Sequence, residues 1–283
     1  MKKILITGGS GYVGRNIIAE LLKRYPDIEV TSLSRSEGTI SHLMMECTDK
    51  RLKFEMVDIR DAPAVRQVLK DKDTVIHLAA MKRVDLCEDE CREAASINVV
   101  GTMNVLDAFQ GETFIFMSTD KAVEPCNCYG GTKLVAERMV LERAKKSSEG
   151  TRFMIIRSGN ILGSTGSVMD IWKNQIKQSN ELTVTNLDMT RFYTTVEGVV
   201  KLYIAVLERG KNGMLYFTPR GEAKVLRDVV NQAIELFGNK NTKINIIGLR
   251  HGERMEEKMR SNSESNTISG FEEYYSKVST AKS

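Results

Sequence analysis

The sequence predicts an α/β fold: a doubly wound parallel sheet followed by a smaller α/β C-terminal lobe. Three observations carry this. Short apolar runs alternate with helix-spaced stripes over roughly the first 160 residues, and such alternation builds a parallel sheet with helices on both faces. Two of the runs, Thr74–Ala80 (TVIHLAA) and Thr113–Met117 (TFIFM), are continuous rather than alternating, as strands buried on both faces must be. A glycine-rich turn stands between the first strand and the first helix.

In chain order, Lys3–Thr7 is an apolar strand ending in glycines. Gly14–Arg24 has helical spacing, with Val13, Ile17, Ile18, Leu21 and Leu22 on one stripe. Strands follow at Glu29–Leu33, Phe54–Val57, Thr74–Leu78, Thr113–Met117 and Arg152–Arg157, with helix-like stretches between them. After Ser158 the alternation weakens. Val168–Gln178, Thr195–Glu208 and Lys224–Phe237 read as helices; Leu182–Val184, Met214–Phe217 and Lys243–Ile247 read as strands. This second part suits the cap of a pocket better than a continuation of the main sheet. From about Ser261 the chain is rich in Ser, Asn, Glu and Lys and is expected to fray.

Composition narrows the function. The 283 residues are 41% hydrophobic and 28% charged, which is globular. Lys and Arg number 41 against 37 Asp and Glu, a net charge of +4. That balance is too small and dispersed to point to nucleic acid or an anionic membrane. No apolar run approaches the ~20 residues of a spanning helix, and the first residues read as a strand rather than a signal peptide. Five cysteines, an odd number, read as reduced thiols of a cytoplasmic protein.

Gly8, Gly11 and Gly14 are spaced by three within Thr7-Gly8-Gly9-Ser10-Gly11-Tyr12-Val13-Gly14. The turn needs positive φ, the backbone must approach a pyrophosphate, and the helix must pack close to the sheet; a Cβ obstructs each. The helix N-terminus supplies free N–H groups to the phosphates. Ser10, Tyr12 and Val13 sit in the same turn. The pattern is that of a Rossmann-like dinucleotide site, so residues 1–160 form the cofactor-binding domain and 161–262 a substrate lobe interleaved with it. Residues 263–283 form a tail.

An NAD-selective site usually ends its second strand on a carboxylate. Here that strand ends Ser34-Arg35-Ser36. Ser34 and Arg35 offer a 2′-phosphate hydroxyl and guanidinium donors, so NADP is favoured over NAD. Asp58 and Ile59 flank the adenine; Asp58 alternatively caps a helix.

Tyr129 and Lys133 are four residues apart, on one face of a helix. A nearby ammonium, with the nicotinamide's charge, lowers the tyrosine pKa so that the phenolate takes a proton from a sugar hydroxyl. Met117-Ser118-Thr119-Asp120-Lys121 closes the fifth strand, at the edge where ligands bind in such sheets. A hydroxyl there suffices for alcohol oxidation. An adjacent Asp and Lys add an acid–base pair suited to removing a proton beside a ketone and expelling a neighbouring hydroxyl as water.

Together these motifs resemble the extended short-chain dehydrogenase/reductase superfamily. Within it, Ser118-Thr119-Asp120-Lys121-Ala122, Pro125, Asn127 and Tyr129-Gly130-x-Thr132-Lys133 look like the inverting UDP-N-acetylglucosamine 4,6-dehydratases. His77-Leu78-Ala79-Ala80-Met81-Lys82-x-Val84, Asn98-Val99-x-Gly101-Thr102, Arg157-x-Gly159-Asn160-x-x-Gly163-Ser164-x-Gly166-Ser167-Val168, Met189-Thr190-Arg191-Phe192 and Gly248-x-Arg250-x-Gly252-Glu253 match later segments of that family. The resemblance implies that Tyr129 deprotonates the C4 hydroxyl while hydride passes to NADP, that Lys121 removes the C5 proton, and that Asp120 protonates the departing C6 hydroxyl. Return of hydride to C6 and reprotonation of C5 from the opposite face complete the cycle. It implies further that Lys133 holds the nicotinamide ribose, that Thr119 orients the sugar, and that Ala79 and Ala80 lie against the cofactor. Asn160 and Arg191 meet the UDP phosphates, Arg250 and Glu253 the uridine ribose, and Lys82, Ser167 and Thr190 belong to the substrate side. For Asn160, Arg191, Arg250 and Glu253 a salt bridge or cap is the alternative.

Other readings remain. A 4-epimerase has no use for Asp120 and Lys121; a 5,6-dehydratase loses water without reducing C6; an NADP-binding sensor is free to lose all four catalytic residues. Cys87, Cys91, Cys126 and Cys128 lack the usual zinc spacing, so no metal is expected, and His77 reads as packing. Helices near Glu93–Ala108 and Tyr129–Arg143, with Leu134, Val135, Met139 and Leu141, suit the interface of a homodimer or higher homo-oligomer.

Overall fold

The computed structural model describes residues 2–164, 166–217, 223–261 and 264; the expected tail at 263–283 therefore lies, except for Glu264, outside the described residues. The chain opens with β1 (Lys3–Thr7), α1 (Tyr12–Arg24), β2 (Glu29–Ser34), α2 (Glu37–Glu46), β3 (Leu52–Met56), α3 (Ala62–Leu69) and β4 (Thr74–His77). Then come α4 (Val84–Asp89), α5 (Cys91–Ala95), a π-helical turn (Ser96–Gly101), α6 (Thr102–Ala108), β5 (Thr113–Thr119), a 3-10 turn (Asp120–Ala122), α7 (Cys128–Lys146) and β6 (Arg152–Ser158). The last third carries β7 (Asn160–Ile161), α8 (Val168–Ser179), β8 (Glu181–Val184), β9 (Thr190–Thr194), α9 (Val196–Arg209), β10 (Leu215–Phe217), β11 (Ala223–Val225), α10 (Leu226–Phe237) and β12 (Lys243–Ile246).

Seven parallel strands form one sheet in the order β10-β6-β5-β4-β1-β2-β3. It is the Rossmann-like α/β architecture the sequence predicts. One face is covered by α1 and α9, which bury Ile17, Ile18 and Leu21 with Val199, Tyr203 and Val206. The other is covered by α3, α6 and α7 through Val65, Leu69, Val105, Leu106, Ala136 and Val140. Burying each such large side chain stabilises the fold by about 1.5–3 kcal/mol before entropy is counted. Strand order reverses on either side of β1, which pairs with both β2 and β4. A crevice opens at the carboxyl ends of strands at such a point.

The helices begin where local chemistry allows. Asn127 caps α7 by accepting from the Gly130 N–H at 2.7 Å, and Asp61 caps α3 by accepting from Ala64 N–H. Gly11 precedes α1 with no side-chain cap and no acidic residue in the first turn, so the N-terminal N–H groups stay free.

The second half is less separate than its sequence implies. α9 packs on α1, and β10 pairs with β6 in parallel. The chain thus returns to the main sheet after residue 160, although this part reads as better suited to capping a pocket than to continuing that sheet. The remainder forms the lobe: a three-stranded sheet β11-β9-β7 and a two-stranded sheet β12-β8, with Trp172, Ile176, Val184, Met189 and Val230 as its own core.

Candidate active site

The Gly8–Gly14 turn forms a cradle. Gly8 has φ +69°, and a Cβ there meets the Ala79 backbone nitrogen at 3.0 Å. A Cβ on Gly14 lies 2.5 Å from the Gly9 carbonyl and 2.6 Å from that of Gly8, so the helix packs against its own entry turn only because no side chain is present. Beyond the turn, a cleft of about 450 Å³ is lined by Gly8, Ser10, Gly11, Tyr12, Val13, Gly14, Ser34, Arg35, Asp58, Ile59, Ala79, Ala80 and Lys133. Every residue predicted to meet the cofactor is there. A glycine cradle, an uncapped helix N-terminus and a long cleft fit a dinucleotide.

At the adenosine end, Ser10 Oγ bonds Ser34 Oγ and Thr39 Oγ1, each at 2.7 Å. Arg35 is exposed, with Nη1 3.9 Å from Glu93 and 4.0 Å from Asp58. Arg60 grips Asp58 through Nε and Nη2 and holds its carboxyl below the usual carboxylate range. Asp58 therefore lines the cleft and caps nothing; Asp61 is the cap of α3.

At the opposite end stand the catalytic candidates. Thr119 Oγ1 donates to Asp120 Oδ1 at 2.9 Å, and Lys121 Nζ donates to the same oxygen at 3.0 Å. Asp120 is fully buried and lines neither cleft, whereas Thr119, Lys121, Tyr129 and Lys133 face the cofactor cleft. Burial lowers the affinity of Lys121 for its proton, but the charges of Asp120 and Glu257 more than offset this, so its pKa is raised. Lys121 rests as an ammonium.

The expected fall in the Tyr129 pKa is not what the protein alone produces. Burial pushes the phenol up, and a hydrogen bond with Thr119 offsets only part of this. Lys133 Nζ lies over the Phe116 ring, 3.9 Å from its centre. Burial draws its pKa down to about 7, against a smaller upward pull from Glu137. His77 is a packing residue: Nδ1 meets Thr7 Oγ1 at 2.5 Å, Nε2 meets Thr102 Oγ1 at 3.0 Å, and burial takes its pKa to about 3.

A second cleft, about 530 Å³, adjoins the first; both are lined by Lys82, Lys121, Asn160, Ile161 and Ser164. Its walls carry Ser167, Arg191, Arg250 and Glu253, as expected. Burial lowers the pKa of Lys82. Thr190 is the exception: it lines neither cleft, its N–H donating to the Met255 carbonyl. Arg157, which opens the Arg157-x-Gly159-Asn160 stretch, is also elsewhere. Its side chain is 1% exposed and forks onto Glu137 at 2.8 and 2.6 Å, with Glu264 on its other side.

Sequence reasoning missed Glu257, which lies 3.8 Å from Lys121 Nζ. Its only signal was an acidic pair after the Gly252-Glu253 motif. Cys91 and Cys128 come together, their sulfurs 2.8 Å apart. Among the described residues no cluster of three or more His, Cys, Asp or Glu is placed to hold a metal ion.

A family model described as "Polysaccharide biosynthesis protein" matches residues 4–279. The chain belongs to that family. Relatives and structural neighbours of the chain differ in name. A UDP-glucose 4-epimerase of Rickettsia akari is 35% identical over 97% of this chain and 82% of its own length. The structure of Pen from Bacillus thuringiensis is 35% identical, covers 93% of this chain and 83% of its own, and has a TM-score of 0.87. DesIV, a dTDP-glucose 4,6-dehydratase from Streptomyces venezuelae solved with NAD, is 20% identical with a TM-score of 0.83, over 94% of this chain and 90% of its own. The last likeness is one of fold. Among the described residues no helix is long and apolar enough to cross a membrane.

Proposed function

We propose that this chain is a nucleotide-sugar 4,6-dehydratase. It takes UDP-N-acetylglucosamine to UDP-2-acetamido-2,6-dideoxy-hexos-4-ulose with inversion at C5, and uses NADP. The observation that carries this is the Asp120–Lys121 pair beside Thr119 and Tyr129, with Lys121 lining both clefts where they adjoin. The glycine turn and the Ser10–Ser34–Arg35 corner hold the dinucleotide, and Lys133 its nicotinamide ribose. The dinucleotide, when bound, supplies reversible hydride exchange: one hydride leaves C4 and returns at C6, so no external reductant is consumed.

The side chains manage the protons. Tyr129, as the phenolate that the positive charge of the bound dinucleotide would favour against burial, takes the proton of the C4 hydroxyl. The resulting 4-ketone acidifies C5–H. Transfer of a proton from Lys121 Nζ to Asp120 Oδ1, along their hydrogen bond, turns an ion pair into an amine and a carboxylic acid with no change in net charge. The amine removes the C5 proton. Asp120, through the hydroxyl of Thr119, delivers its proton to the C6 oxygen, which departs as water. Lys121 and Asp120 then carry their starting charges, and as hydride returns to C6 the proton that Tyr129 took is given to C5 from the opposite face, which restores the phenolate. Arg191 and Asn160 hold the diphosphate, Arg250 and Glu253 the uridine ribose, with Lys82 and Ser167 beside the sugar. A second copy of the chain docks on the α6 and α7 face, where Met103 and Val135 are exposed.

A second reading, a UDP-sugar 4-epimerase, is favoured by the name of the Rickettsia relative. It leaves the buried Asp120–Lys121 pair without a task. One experiment separates the two. Purified protein is incubated with UDP-N-acetylglucosamine in deuterated water without reductant and followed by NMR. A C6 methyl with deuterium at C5 is expected; UDP-N-acetylgalactosamine alone overturns the dehydratase reading. Lys121→Ala is expected to slow water loss by roughly 10²–10⁴-fold, the usual worth of a positioned acid or base, while C4 oxidation remains detectable as reduced cofactor.

A further inference from the structure

We infer that Glu257 is a positioning residue for the elimination step: its buried carboxylate, beside the Lys121 ammonium that Asp120 also holds, fixes Lys121 so that the amine addresses the sugar. The inference rests on the dehydratase reading and concerns a residue that reading does not use.

Glu257 lines neither cleft, so substrate does not touch it. Its side chain is 5% exposed, and its Oε1 is 3.8 Å from Lys121 Nζ. Burial raises its pKa, as does Asp120, while Lys121, Arg191 and Arg254 draw it down. A buried carboxylate is costly unless a cation answers it, and Lys121 stands within ion-pair distance. The segment carrying Glu257 is itself held firmly. Thr190 N–H donates to the Met255 carbonyl, Arg191 Nη2 to that of Arg254 at 2.8 Å, Arg254 Nη1 to Val123 at 3.2 Å, and Lys258 Nζ to Glu124 at 2.9 Å. The last two contacts land on the loop that immediately follows the catalytic turn. The carboxylate is therefore delivered to Lys121 by the same pins that fix the catalytic loop.

The geometry of an ammonium explains the use. Lysine ends in a flexible stem with three donors. Lys121 Nζ donates to Asp120 Oδ1 at 3.0 Å and lies 3.8 Å from Glu257 Oε1, while its side chain lines both clefts. When Nζ gives its proton to Asp120, the two carboxyl groups still hold the nitrogen where the clefts adjoin. With Asp120 alone the nitrogen is free to swing.

The test compares wild type, Glu257→Gln and Glu257→Asp with UDP-N-acetylglucosamine in deuterated water. C5 deuteration and C6 methyl formation are read by NMR, and C4 oxidation by the absorbance of reduced cofactor in a single turnover. For Glu257→Gln, water loss is expected to fall about 10- to 100-fold, the worth of one charge-assisted contact. KM and the rate of C4 oxidation are expected to stay within about twofold. Glu257→Asp, which keeps the charge one methylene farther away, is expected to recover most of the loss. Unchanged water loss in Glu257→Gln overturns the inference, as does a parallel fall in C4 oxidation, which marks a merely structural role. If the glutamine variant does not fold, the aspartate variant decides: a smaller slowing confined to water loss supports the inference, and none, or a parallel one, overturns it. A wild type that forms no C6 methyl sinks the dehydratase reading itself, a result these variants do not produce.

Discussion

In the proposed reading, the cofactor half and the substrate lobe solve the same problem, holding an anionic ligand, by different means. The cofactor cleft is built from backbone: a glycine turn, an uncapped helix end, and strand ends aligned by one parallel sheet. The substrate cleft is built from side chains on short, separate pieces, with Arg191 on β9 and Arg250 and Glu253 on an irregular segment. Backbone recognition is written in consecutive residues. Side-chain recognition is assembled across the chain.

The sharpest way to break the first half is to add one carbon set where none fits. Gly14→Val places a branched side chain against backbone atoms 2.5–2.7 Å from its Cβ. These atoms belong to the phosphate turn and are not flexible side-chain ends. Dinucleotide binding is expected to vanish in calorimetric titration, with a stability loss of about 1–3 kcal/mol by thermal melting. Retained binding would mean that the turn does not carry the phosphates.

The matching change in the lobe is milder. Arg191→Ala removes one guanidinium from the substrate cleft and also its bonds to the carbonyls of Thr190, Met255 and Arg254. KM for the UDP-sugar is expected to rise about 10- to 100-fold, as for one lost charged hydrogen bond, in steady-state kinetics. Unchanged KM would remove Arg191 from phosphate recognition and leave it a clasp for the segment that carries Glu257.

This contrast also explains what the sequence revealed. The glycine spacing, the Tyr129–Lys133 pair and the Asp120–Lys121 dipeptide are local, and their residues line the first cleft except Asp120, which is buried behind Lys121. Thr190 and Arg157 sit inside motifs yet face away from the clefts, because motif membership does not fix which side of a strand a residue takes. On β9, Arg191 lines the substrate cleft while its neighbour Thr190 lines neither. Glu257 was invisible because its partner is far away in sequence and an acidic pair has no period. The sheet membership of β10 is hidden for a related reason: three residues, Leu215–Phe217, announce a strand but not the sheet it joins.

A smaller effect tests the adenosine end. Arg35→Ala is expected to cut the preference for NADP over NAD by about tenfold, in calorimetric titration of both cofactors, because a 2′-phosphate loses a charge-assisted partner. Equal affinities before and after would assign Arg35 to the surface network with Asp58 and Glu93, and would leave the cofactor half indifferent to that phosphate.

The smallest expected effect concerns the sheet beneath the cofactor cleft. His77 is buried between Thr7 and Thr102, with a pKa near 3 against an ordinary 6.5. A depressed histidine is neutral when folded but binds a proton when unfolded. Between pH 6.5 and 3 the unfolded state therefore holds more protons, and stability falls as pH falls through that window. Above 6.5 the group contributes no pH dependence. Lys133, drawn to about 7 from 10.5, acts in the alkaline window: the folded state releases its proton first, so its contribution to stability grows as pH rises from 7 to 10.5. Urea unfolding from pH 4 to 9 on wild type and His77→Gln separates the two. The variant is expected to lose part of the acid slope and keep the alkaline one. An acid slope identical in both proteins would place the acid sensitivity in the carboxylates of the surface and the lobe instead of the first sheet.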